Sequence, residues 1–124
     1  MSENRMEKLY SLKVNRENRV LTVSVVGYFN DDTGLELEAL VREAFSQDGE
    51  VLILDMALCT NVNSMGVASL FGLCVLVVND LRRKLFLVGL DSLKITVLNM
   101  AGIFTMATFE QTVGDALRRL REKN

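Results

Sequence analysis

The 124-residue chain has no histidine, no proline and no tryptophan, and only two cysteines. Without histidine it lacks the commonest general base and the commonest metal ligand. Cys59 and Cys74 are too few for a disulfide framework and lack metal-ligand spacing. Their apolar neighbours imply buried free thiols in a reducing compartment. A glycine-rich phosphate loop, a nucleophile elbow and a paired metal motif are all missing. Nothing in the chain therefore asks for an enzyme, a cofactor or a metal. With no proline, no low-complexity segment and no internal repeat there is no linker, so residues 1–124 read as one domain. At that length roughly two thirds of the unfolded surface can be buried.

Charge of one sign is also missing. The formal net charge is −2, and no basic patch supports nucleic-acid binding. The dense run Arg118-Arg119-Leu120-Arg121, mixed with Asp115 and Glu122, suits the C-terminal end of a last helix. The longest apolar run, Val67 to Val78, is broken by Ser69 and Gly72 and is too short to span a bilayer. The polar start Met1-Ser2-Glu3-Asn4-Arg5 leads into no signal-peptide hydrophobic region. A cytoplasmic protein that engages neither membrane nor nucleic acid is the expectation.

What is present is 49% hydrophobic residues in ordered patterns. Tyr10, Leu12 and Val14 alternate with polar residues, as do Leu21, Val23 and Val25 up to Gly27. With Asn15 to Arg19 as the turn, these predict an antiparallel hairpin. Thr33 and Glu36 have capping-box spacing, and Leu37, Leu40, Val41, Ala44 and Phe45 follow a helical stripe closed by Asp48-Gly49. Val51 to Leu54 and Leu85 to Val88 are continuous apolar runs, the mark of strands covered on both faces. Ser92 is placed to cap a short helix with Leu93, Val97 and Leu98, closed by Gly102. An edge strand is expected over Thr105–Phe109, and Thr112 caps a last helix carrying Val113, Ala116, Leu117 and Leu120. The order β-β-α-β-α-β-α-β-α predicts an α/β fold, a mixed sheet with an N-terminal antiparallel hairpin and helices packed on it.

Ser64 stands where the loop Met56–Val62 meets a long apolar helix that should stop near Arg82. A serine at a helix cap faces unpaired backbone N–H groups and the positive end of the dipole, and there a phosphate is accommodated. The plain alternative is a cap contributing about 1 kcal/mol. Spacing along the following helix turns Val67, Leu70, Phe71, Cys74, Val77, Val78 and Leu81 inward. The opposite face would then hold Ala68, Ser69, Gly72, Leu76, Asn79 and Arg83, with Leu73 and Val75 on its shoulders. Small residues beside an exposed leucine suggest docking of a partner, against the alternative that other elements of the domain cover that face.

Five stretches carry a family resemblance. They are Val51-Leu52-Ile53-Leu54-Asp55-Met56, Val62 to Leu70 around Asn63-Ser64-Met65-Gly66, Leu85 to Leu90, Val97 to Phe104, and Asp115-Ala116-Leu117. In that order, from about Leu9 to Leu120, the chain resembles a STAS domain, the family of bacterial anti-sigma factor antagonists and sulfate-transporter tails. The resemblance to the stand-alone regulators implies that Ser64 is a phosphoacceptor. It also implies binding to a serine kinase that acts as an anti-sigma factor, with an ATP-binding histidine-kinase-like fold, and restoration by a serine phosphatase. In those regulators the junction reads Asp-Ser-Ser-Gly or Asp-Ser-Thr-Gly. Here Asn63 and Met65 replace the aspartate and the second hydroxyl, and Asn30 stands where an aspartate is usual, with Asp31 and Asp32 beside it. The implied partner surface comprises Asn30, Asp31, Asp32, Asn63, Met65, Gly66, Ala68, Ser69, Gly72, Leu73 and Leu76. The alternative is a constitutive scaffold, or a subunit that self-associates into a homodimer through helix 65–81 with no phosphate switch. A small-ligand sensor is a third reading, with no phosphate loop to support it.

Overall fold

A computed structural model describes residues 8–122, and the polar start Met1–Arg5 lies outside them. Strands β1 (Tyr10–Glu17) and β2 (Val20–Phe29) pair antiparallel in register from Tyr10↔Gly27 to Glu17↔Val20. The turn is two residues, not the five expected. Asn18 and Arg19 both take positive φ, +54° and +68°, and that backbone twist matches the strands on either side. Helix α1 (Asp31–Gln47) follows, then β3 (Val51–Asp55), β4 (Cys59–Val62), α2 (Ser64–Cys74) and a π-helical segment Val75–Asp80. The chain continues through β5 (Lys84–Val88), α3 (Ser92–Met100), a 3-10 turn Ile103–Thr105, β6 (Thr108–Glu110) and α4 (Val113–Glu122). The expected edge strand Thr105–Phe109 is therefore shorter and displaced, because a helical turn occupies its first part.

The sheet runs β1-β2-β3-β5-β6, with every pair after the hairpin parallel. Strand β4 is the element that sequence reading took for loop. Four residues with two exposed in the middle are too short to show a period. It forms because β2 outruns β3. Val20–Ser24 pair with Val51–Asp55, and the remaining Gly27–Phe29 pair with Cys59–Val62 along the same edge.

Alternation along the strands gives two cores. Leu21, Val23, Val25, Leu52, Leu54, Leu85 and Leu87 face α1, α2 and Leu98 of α3. Val51, Ile53, Phe86 and Val88 face α4 through Ala116, Val113, Leu117 and Leu120. Each fully buried leucine contributes about 2 kcal/mol of hydrophobic stabilisation before entropy costs. Both cysteines are buried free thiols, and burial pushes Cys74 up to about 12. Thr112 caps α4 as expected, accepting from the Asp115 amide at 3.0 Å. The α3 cap is Asp91, accepting from the Lys94 amide, not the expected Ser92. On α3 itself only Leu98 is buried, whereas Leu93 and Val97 are exposed.

Candidate functional site

The carboxyl ends of β2 and β4 bring two helix N-termini side by side. The Asn63 amide donates to the Phe29 carbonyl at 3.2 Å, tying the start of α2 to the residue before Asn30. Asparagine caps both helices. Asn30 Oδ1 accepts from the Thr33 amide at 3.1 Å, and Asn63 Oδ1 accepts from the Gly66 amide at 2.7 Å. Ser64 is thus the first helical residue and not the cap, because Asn63 already satisfies that amide. The expected box between Thr33 and Glu36 closes instead between Asn30 and Thr33, whose hydroxyl accepts from the Asn30 amide at 3.1 Å.

Two close approaches hold these turns together. A Cβ on Gly66 would stand 2.2 Å from the Phe29 carbonyl oxygen, and one on Gly34 would stand 2.3 Å from Ser69 Cβ. Glycine at both positions lets α2 lie against the end of β2 and across the first turn of α1. These contacts also set the rotation of α2. With Gly66 turned inward, Leu70, Leu73 and Cys74 follow it at helical spacing, and the π-helical segment then carries Leu76 and Val77 inward.

The partner-surface expectation is corrected accordingly. Leu73 and Leu76 are 3% and 6% exposed, so they belong to the core, and Gly66 is buried as well. Phe71, expected inside, is 40% exposed. The helix is apolar nearly all round, so its composition leaves the phase open and packing against Phe29 decides it. The outward stripe is Ser64, Met65, Ala68, Phe71 and Gly72, with Asp31 and Asp32 exposed on the neighbouring turn. Ser69 is half-buried, and with Gly72 and Leu76 it lines a cleft of about 230 Å³ against Leu35, Glu38 and Arg42 of α1. Asn30 and Asn63 are half-buried, with their side chains engaged in capping. Sequence reading missed the exposed α3 residues Leu93, Val97 and Met100, and also Phe71, which reaches to 3.7 Å from the Cβ position of Gly102. Leu93, Val97 and Met100 stand at i, i+4 and i+7, one stripe of α3 that excludes buried Leu98, and that spacing was the available signal.

Ser64 is exposed, and among the described residues its hydroxyl has no hydrogen-bond partner. The first turn of α2 contains no acidic residue, whereas that of α1 contains Asp31 and Asp32. The dipole at α2 is therefore uncompensated, which leaves it favourable to an added anion. Among the described residues no group of His, Cys, Asp and Glu is arranged to hold a metal ion, and no helix is long and apolar enough to cross a membrane.

A family model of the STAS domain matches residues 11–116, and the chain belongs to that family. No curated protein sequence matches it at a significant level. An anti-sigma factor antagonist from Mycobacterium paratuberculosis is 19% identical with a TM-score of 0.74, covering 90% of this chain and 94% of that one. RsbS of Moorella thermoacetica, solved with a serine-to-glutamate substitution, is 12% identical with a TM-score of 0.76 over 90% of this chain and 95% of its own. The Bacillus cell fate determinant SpoIIAA, in its phosphorylated form, is 14% identical with a TM-score of 0.69 over 89% and 99%. These likenesses are of fold: the mixed sheet and its helices are those of the stand-alone anti-sigma factor antagonists.

Proposed function

We propose that the chain is a partner-switching regulator that binds a serine kinase acting as an anti-sigma factor and is released when that kinase phosphorylates Ser64. It works as a single cytoplasmic domain and is protein substrate and ligand, not enzyme; a serine phosphatase restores binding. The observation that carries this reading is the exposed Ser64 hydroxyl at the first position of α2, with Asn63 doing the capping. The existence of a phosphorylated SpoIIAA with the same fold supports it. A phosphate adds roughly two negative charges beside Asp31, Asp32 and the apolar stripe Met65-Ala68-Phe71. At an interface that costs about 3 kcal/mol, roughly a hundredfold in affinity.

The test is intact-mass analysis of the chain purified from its own cells, with capture of the bound kinase. One phosphoryl group on Ser64, absent from Ser64→Ala, is expected. Ser64→Ala retains the kinase, and Ser64→Asp binds it about a hundredfold more weakly. An unmodified Ser64 together with equal binding by both variants overturns the switch. Self-association that both variants share would then point to the constitutive scaffold.

A further inference from the structure

A second concave site lies between β4 and α3. This cleft has a volume of about 130 Å³, with Val62, Leu93, Val97 and Leu98 on its apolar side and Thr60, Asn61, Lys94 and Asp91 on its polar side. A dry cavity of about 150 Å³ holds a benzene-sized molecule, so the cleft, which opens to solvent, seats roughly six non-hydrogen atoms of a slightly longer fragment. The Lys94 side chain is only 12% exposed, although lysine ordinarily keeps its ammonium in water. Its carboxylate partner Asp91 lies 2.9 Å away and is 61% exposed. Water therefore screens the carboxylate more than the ammonium, whose side chain is the more buried of the pair. Asp91 is also pinned, since its other oxygen accepts from the Lys94 amide at 2.8 Å and caps α3. The ammonium has three donors, and among the described residues Asp91 takes one of them.

We propose that this cleft binds a small amphipathic carboxylate, with Lys94 holding the carboxylate and Leu93 and Val97 flanking a short aliphatic chain. A phosphate would want more donors than one lysine supplies. The nearby Cys59 thiol agrees with an inward-lying cation: burial raises its pKa, and the Lys94 charge is the foremost opposing influence. The site is independent of the Ser64 reading, and either stands if the other fails.

The test is an amide chemical-shift titration of the isotope-labelled chain with hexanoate and, separately, hexan-1-ol. Saturable shifts confined to residues 60–62 and 91–98 are expected with hexanoate, with a Kd on the order of 1 mM. Hexan-1-ol binds at least about tenfold more weakly, and Lys94→Met weakens hexanoate by a similar factor while Lys94→Arg preserves it. Absence of saturable shifts, shifts elsewhere, or equal binding of the alcohol overturns the proposal. Should Lys94→Met lose its folded amide spectrum, the acid–alcohol comparison on the native chain decides alone.

Discussion

The first turns of α1 and α2 follow one plan and end with different surfaces. In each, an asparagine caps the helix, two residues follow, and the third amide returns to the asparagine oxygen. In α1 the two intervening residues are Asp31 and Asp32, and the third is Thr33, fully buried and hydrogen-bonded to the Tyr28 carbonyl at 2.9 Å. In α2 they are Ser64 and Met65, both exposed, and the third is Gly66, pressed against Phe29. Carboxylates already answer the dipole of α1, whereas α2 has no acidic residue in its first turn and, among the described residues, a hydroxyl with no hydrogen-bond partner. One turn is finished; its neighbour is left open to added charge. That difference, and not the presence of a serine as such, is what makes Ser64 the candidate acceptor.

The sharpest way to break the comparison is to give α2 the side chain that α1 tolerates. Gly66→Ala places a Cβ 2.2 Å from a backbone oxygen that cannot rotate away. The strain outweighs the usual gain of about 1 kcal/mol for alanine over glycine in a helix. A net loss of about 3 kcal/mol is expected in urea unfolding. Gly72→Ala, with nothing within 4 Å of its Cβ, should instead be neutral or gain up to about 1 kcal/mol. Equal stability of the two variants would mean that α2 does not rest on Phe29.

Sequence reading recovered the hairpin, the central strands and the helix order, because those depend on local periods and on residue type. It misplaced what depends on packing. The phase of α2 could not be read because apolar residues cover most of its circumference, so Leu73 and Leu76 were assigned outward and Phe71 inward. The caps failed for a related reason: Asn63-Ser64 and Asp91-Ser92 each offer two good capping residues in succession, and spacing to the first free amide picks the earlier. Strand β4 exists only because β2 is longer than β3, a fact about pairing that no window of the chain contains.

Removing the caps sharpens the comparison at smaller cost. Asn30 Oδ1 receives the amide of buried Thr33 and shares that residue's hydroxyl proton with the Tyr28 carbonyl, whereas Asn63 Oδ1 receives one amide. Asn30→Ala should therefore cost about 2 kcal/mol and Asn63→Ala about 1 kcal/mol in the same unfolding measurement. A reversed order would show that the two turns are not stabilised as their hydrogen bonds suggest. Neither variant removes the Ser64 hydroxyl, so Asn63→Ala also separates capping from phosphorylation: the phosphoryl group should still appear.

The smallest expected effect concerns the strap that holds the finished turn of α1 to β1. The Tyr10 hydroxyl donates to Glu36 Oε1 at 2.7 Å, one turn beyond Asp32. Burial, aided by that hydrogen bond and by the charges of Glu36 and Asp32, pushes the phenol from 10.0 up to about 12. The same hydrogen bond, joined by Lys8, holds the Glu36 carboxyl below its ordinary value of 4.5. The phenol is raised in the folded state, so its contribution is complete below pH 10.0 and fades as pH climbs towards about 12. The carboxyl is lowered, so its contribution is complete above 4.5 and fades as pH falls through the depressed folded value. Tyr10→Phe should therefore cost at most about 1 kcal/mol near neutrality, given how exposed the pair is. The gap between variant and wild-type unfolding midpoints should close at both ends of that window, in acid and in strong alkali. A gap that persists in acid and in alkali alike would assign the contribution of Tyr10 to ring packing, and α1 would then be held to β1 without the proton-sensitive link.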